Sequence, residues 1–127
     1  MTRRNVLAYT MLAAIACGSS GVYAADLPAQ SKAEIEYLFS YLKNSGCQFN
    51  RNEKWHEADE AVSHLGKKYK YLLDKNMLSS TEDFIDKAAT SSSTSGKPYL
   101  VKCGNEEPAQ SSVWFRARLS KHRAETR

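Results

Sequence analysis

Apolar positions fall into helical and strand rhythms along most of the chain. From Ser31 onward, Ile35, Leu38 and Leu42 recur at helical spacing, with Tyr37, Phe39 and Tyr41 around them. Ser31 and Glu34 have the spacing of a capping box, and Gly46 is suited to end that helix in a left-handed conformation. Ala58, Ala61, Val62, Leu65, Tyr69 and Leu72 share one stripe, which predicts a second helix from Trp55 or His56 to Leu73. Ser79 or Ser80 is expected to cap a third, with Glu82 and Asp83 in its first turn and Phe84, Ile85 and Ala88 inside. A last helix is expected to open at Glu107-Pro108 and to carry Val113, Trp114, Phe115 and Leu119.

Two segments read as short strands, Cys47–Arg51 and Tyr99–Cys103, because apolar and polar residues alternate in the first and the second is rich in Tyr, Leu and Val. Asn52-Glu53-Lys54 reads as a turn, and the hydroxyl-rich run Thr90–Ser95 with Gly96-Lys97-Pro98 stops the third helix. The expected class is α+β and predominantly helical: about four helices and a minimal two-stranded ribbon, since two short strands do not stand alone as a sheet.

The N-terminal rhythm is different. Arg3 and Arg4 precede an uncharged apolar stretch, Val6–Cys17, and Val22-Tyr23-Ala24 places small residues at the positions a signal peptidase reads. The expected organisation is a signal peptide over 1–24, an N-terminal linker over 25–32, one domain over 33–123 and a basic tail over 124–127. The apolar stretch is shorter than the roughly 20 residues a spanning helix needs. The expected location is therefore an oxidising compartment of the envelope. An alternative reading takes Ala14-Ile15-Ala16-Cys17 as a lipobox, with the protein anchored through Cys17.

Charge and cysteines follow from that processing. The full chain carries a formal net charge of +4. Loss of Arg3 and Arg4 lowers this to +2, too mild to point to nucleic acid. Arg116, Arg118, Lys121, Arg123 and Arg127 concentrate positive charge in the last helix, whose weak contact with an anionic surface is one expectation. Cys47 and Cys103 remain as an even pair, for which an exported protein predicts a disulfide.

Ala61-Val62-Ser63-His64-Leu65, the run Thr81–Ala89, and above all Ser92-Ser93-Thr94-Ser95-Gly96-Lys97-Pro98-Tyr99-Leu100-Val101 resemble the YfeK-like proteins, small exported proteins of Gram-negative bacteria. The likeness runs from about Ala33 to Leu119. It implies a periplasmic location and one domain, and it carries no activity and no functional residues with it.

Candidate chemistry is sparse. His56, Glu60 and His64 at i, i+4 and i+8 have the spacing of a metal half-site, but the apolar stripe places them on the side away from the core, so no metal is expected. No cofactor is expected, and no catalytic residue is assigned: there is no G-x-S-x-G elbow and no CxxC. The candidate partner-binding residues are Ser95, Gly96, Lys97 and Tyr99, where hydroxyls, loop amides and an ammonium could cradle an anion or a partner's backbone. This is not a P-loop, because Pro98 and a strand follow the Gly-Lys pair. Ser95-Gly96-Lys97-Pro98-Tyr99 also fits a short S-G-x-x-Y pattern of periplasmic lysozyme inhibitors, although those are all-β barrels. Trp55, Trp114 and Tyr99 are candidates to line a groove, with burial in the core the more ordinary role for such aromatics. The expected function is a non-enzymatic binding module for an envelope protein or cell-wall component. The alternative is an inhibitor or immunity protein against an envelope-degrading enzyme such as a lysozyme or amidase.

Overall fold

The computed structural model describes residues 26–127; segment 1–24, for which a signal peptide is expected, and Cys17 lie outside the described residues. Four helices stand among them: α1 (Ala29–Asn44), α2 (Ala58–Asp74), α3 (Thr81–Ala88) and α4 (Ser111–Glu125). No helix among the described residues is long and apolar enough to cross a membrane. α1 packs against the other three helices, and the apolar stripes converge on Ile35, Leu38, Leu42, Leu65, Phe84, Ile85, Phe115 and Leu119.

The helix ends follow local chemistry. Ser80 caps α3, its hydroxyl accepting from the Asp83 amide at 3.0 Å, while the Asp83 carboxylate accepts from the Ser79 amide and hydroxyl. α2 ends in a Schellman motif, with Asn76 left-handed and the Met77 and Asn76 amides donating to Leu72 and Leu73. Gly46, at φ 69°, turns the chain out of α1 as expected.

The sheet is larger than the expected ribbon. β1 (Gln48–Arg51) and β3 (Leu100–Lys102) pair antiparallel, with Phe49 opposite Val101, and β2 (Lys54–His56) and β4 (Ala109–Gln110) flank them in the order β2-β1-β3-β4. Continuing that register one step places Cys47 opposite Cys103, and the two are disulfide-bonded. Strand alternation puts Cys47, Phe49, Tyr99 and Val101 on one face, and all four are buried. Arg51 has the same parity as Phe49. It therefore points to the helix-covered face at the place where the core ends.

Several expectations are corrected. α1 begins at Ala29 behind Pro28, so Ser31 is inside the helix rather than its cap, and residues 29–32 are helical rather than linker. Glu34 does not close a capping box, because Arg123 and Thr81 claim its carboxylate. Trp55 and His56 belong to β2, not to the start of α2. The cause is the two-residue turn Asn52-Glu53, with φ of 53° and 67°, which folds the chain straight back as a hairpin. Pro108 precedes β4 instead of opening α4, and Val113 is exposed.

Candidate functional site

The flank of α2 facing β1 and the Thr90–Tyr99 loop carries a chain of polar contacts. Arg51 Nη1 lies 3.2 Å from His64 Nδ1. His64 Nε2 lies 3.0 Å from the Tyr99 hydroxyl. Lys68 Nζ donates to the same hydroxyl at 3.2 Å and to the Ser91 carbonyl at 3.0 Å. A guanidinium has no acceptor, so His64 Nδ1 accepts from Arg51 and Nε2 carries the proton given to Tyr99. That assigns a neutral imidazole. Burial pushes the His64 pKa down to about 4, and the charges of Arg51 and Lys68 push in the same direction. Burial likewise lowers the Lys68 pKa and raises that of Tyr99.

An open depression of about 440 Å³ lies over this chain, lined by Arg51, Asp59, Glu60, Ser63, His64 and Lys67. Among the described residues neither Arg51 nor Lys67 forms an ion pair, whereas Arg116, Arg118 and Arg123 of α4 each meet a carboxylate.

The residues expected from sequence take different places. The Thr90–Tyr99 loop closes on itself through the Ser91–Pro98 bridge and the bond from the Gly96 amide to the Ser92 carbonyl. Ser95 donates its hydroxyl to Asn52 Oδ1 at 2.6 Å, and Lys97 Nζ donates to Glu53 at 2.8 Å. Both contacts clasp the turn that follows Arg51. Tyr99 is 1% exposed and holds His64 from below. Ser95, Lys97 and Tyr99 thus support the depression rather than form its floor, and Gly96, at φ 73°, supplies the loop's left-handed step. Of the groove aromatics, Tyr99 is core, Trp114 packs against the core, and Trp55 is 39% exposed on the opposite face of the sheet.

The His56–Glu60–His64 set is also rearranged. His56 sits on β2 and meets Glu60 at 2.8 Å, while His64 is half-buried and turned toward Tyr99 instead of outward. It lies on the flank of the apolar stripe, where a long polar side chain reaches the sheet. No group of three or more His, Cys, Asp or Glu side chains suited to a metal gathers among the described residues.

The basic C-terminal helix turns much of its charge inward. Arg123 binds Glu34 and Glu82, Arg116 binds Asp86, and Arg118 stacks 3.9 Å from the Tyr41 ring and donates to the Tyr37 hydroxyl. Lys121 and Arg127 are the basic residues of this segment that make no such contact among the described residues. Sequence reasoning missed Arg51, Ser63, Lys67 and Lys68. The available signal was the set of polar residues beside the α2 stripe, which a core-centred reading assigns to solvent.

Fold and depression together define a small, disulfide-linked, mainly helical α+β protein with a polar, cation-bearing surface site. The chain belongs to a family of unknown function (DUF5329), whose model matches residues 29–123. It is similar to the uncharacterized protein YfeK of Salmonella typhimurium, with 40% identity over 76 residues. The match covers 59% of this chain and 62% of that protein. No solved structure matches the chain.

Proposed function

We propose that this protein is a periplasmic binding module whose ligand presents an anionic group to Arg51 and Lys67. The observation that carries this reading is an arginine without an ion-pair partner: half-buried Arg51 faces a neutral imidazole, with no carboxylate paired to it among the described residues. A guanidinium offers a planar fork of donors that matches a carboxylate or phosphate, and Lys67 adds a second charge. The Arg3-Arg4 leader pattern and the Cys47–Cys103 bond support action in an oxidising compartment.

Binding fits the site better than turnover. A histidine acting as a base is usually oriented by a carboxylate and titrates near neutrality. His64 is oriented by an arginine and titrates at about 4. The alternative of an enzyme inhibitor acting through Ser95–Tyr99 is less well supported, since Tyr99 is buried and Ser95 and Lys97 are engaged by the neighbouring hairpin.

The test is a titration of the ¹⁵N-labelled protein with phosphate and with acetate. Shifts centred on Arg51, His64 and Lys67, lost in Arg51→Gln, are expected. Shifts confined to Lys121 and Arg127, or none at all, would overturn the proposal.

A further inference from the structure

The depression carries both signs of charge. Along α2, Asp59, Ser63 and Lys67 stand at i, i+4 and i+8, one above another on the helix surface, and all three line it. Asp59 and Lys67 are separated by about 12 Å of helix axis, from eight steps of 1.5 Å. They are too far apart to neutralise each other, and Asp59 forms no ion pair among the described residues. The second acid differs: Glu60 is already engaged by His56 at 2.8 Å. Arg51 joins Lys67 in the lining from β1.

Resting on the anion-site reading above, we infer that the ligand is zwitterionic: a short peptide of about three residues whose terminal ammonium meets Asp59 and whose terminal carboxylate meets Arg51 and Lys67. Three extended residues span about 10–11 Å, close to the about 12 Å of helix axis between the positions of Asp59 and Lys67. The Ser63 hydroxyl, one turn from each end, donates to or accepts from the peptide's backbone between them. Asp59 also sits in the first turn of α2, where a negative charge suits the helix dipole.

Three probes separate the charges: trialanine, N-acetyl-trialanine, which lacks the ammonium, and trialanine amide, which lacks the carboxylate. The expected result is that trialanine binds about fivefold tighter than its N-acetyl form, the worth of one exposed charge pair. The amide should lose binding, and Asp59→Asn should erase the advantage of trialanine while leaving N-acetyl-trialanine unchanged. Lys67→Gln, an exposed helical substitution, should weaken both carboxylate-bearing probes even if Arg51→Gln compromises folding. Equal binding of the two carboxylate-bearing probes, unaffected by Asp59→Asn, would overturn the zwitterion inference and leave the anion site standing. Failure of all three probes together with phosphate would overturn both.

Discussion

His64 Nε2 lies 3.0 Å from the hydroxyl of Tyr99, a residue 35 positions further along the chain. That contact ties α2 to the residue before β3, while the Arg51 guanidinium, which can only donate, makes Nδ1 the acceptor of a neutral imidazole.

A pH dependence follows. The pKa of His64 falls from the ordinary 6.5 to about 4 on folding, so between these values the unfolded chain holds a proton that the folded one does not. The stability it contributes is complete above about pH 6.5 and is lost as the pH falls toward 4. The groups facing it are Arg51 and His56 from the hairpin, Lys67 and Lys68 from α2, and Tyr99. Arg123 holds Glu34 and Glu82, and Ser79 holds Asp83, below their ordinary carboxylate range, so their contribution fails only at lower pH. Urea denaturation at pH 7 and pH 5 should show a lower midpoint at pH 5, and His64→Gln should remove most of that difference. A wild-type midpoint unchanged between the two pH values would contradict it.

The Cys47–Cys103 bond closes a loop with a sequence separation of 56 residues. The chain-entropy model gives about 4 kcal/mol for such a loop. The double variant Cys47→Ser, Cys103→Ser should lose about that much in denaturant unfolding, a large share of a typical domain's stability of about 5–15 kcal/mol. A loss below about 1 kcal/mol would mean that the reduced chain is already constrained.

Arg123 and Arg116 both pair with acids on α3, but their settings differ. Glu34 is 5% exposed and accepts two bonds from Arg123, with the Thr81 hydroxyl donating a third. Arg116 and Asp86 are both exposed. Arg123→Ala leaves a buried carboxylate uncompensated and should cost about 2–3 kcal/mol, discounted for the partial exposure of Arg123. Arg116→Ala should cost less than about 1 kcal/mol. Thermal unfolding of the two variants checks the order, and equal losses would contradict it.

In the proposed reading the Thr90–Tyr99 loop supports the site without contacting the ligand. Lys97→Ala removes an exposed ion pair to Glu53 and should cost less than about 1 kcal/mol. Anion binding at Arg51 should stay within about twofold of wild type, because Ser95 still clasps Asn52. Loss of binding in Lys97→Ala with the fold intact would make the loop part of the contact.

Much of the fold was legible in the sequence for physical reasons. The stripes of α1, α2 and α3 read correctly because helix burial imposes its own period, and the alternation around Phe49 and Val101 named the two central strands. β2 was missed because Asn52-Glu53 lacks the glycine that normally signals a two-residue hairpin; Glu53 adopts its left-handed conformation beside the clasp from Lys97. β4 is two residues long, too short for any alternation to show. The candidate site was less legible. Its residues come from β1, α2 and, as support, β3 and the preceding loop, so their convergence depends on sheet register and on the side of α2 that meets the sheet. Ser95, Lys97 and Tyr99 were singled out for their composition, yet composition does not reveal that each is engaged by a neighbour.

The most direct test of the anion site is the His64 titration itself, followed by NMR with and without saturating trialanine. A carboxylate seated on Arg51 offsets the positive charge beside the imidazole and favours its protonated form, so the pKa should rise from about 4 when the peptide is bound. An identical titration curve in the presence of bound peptide would place the ligand elsewhere and contradict the account.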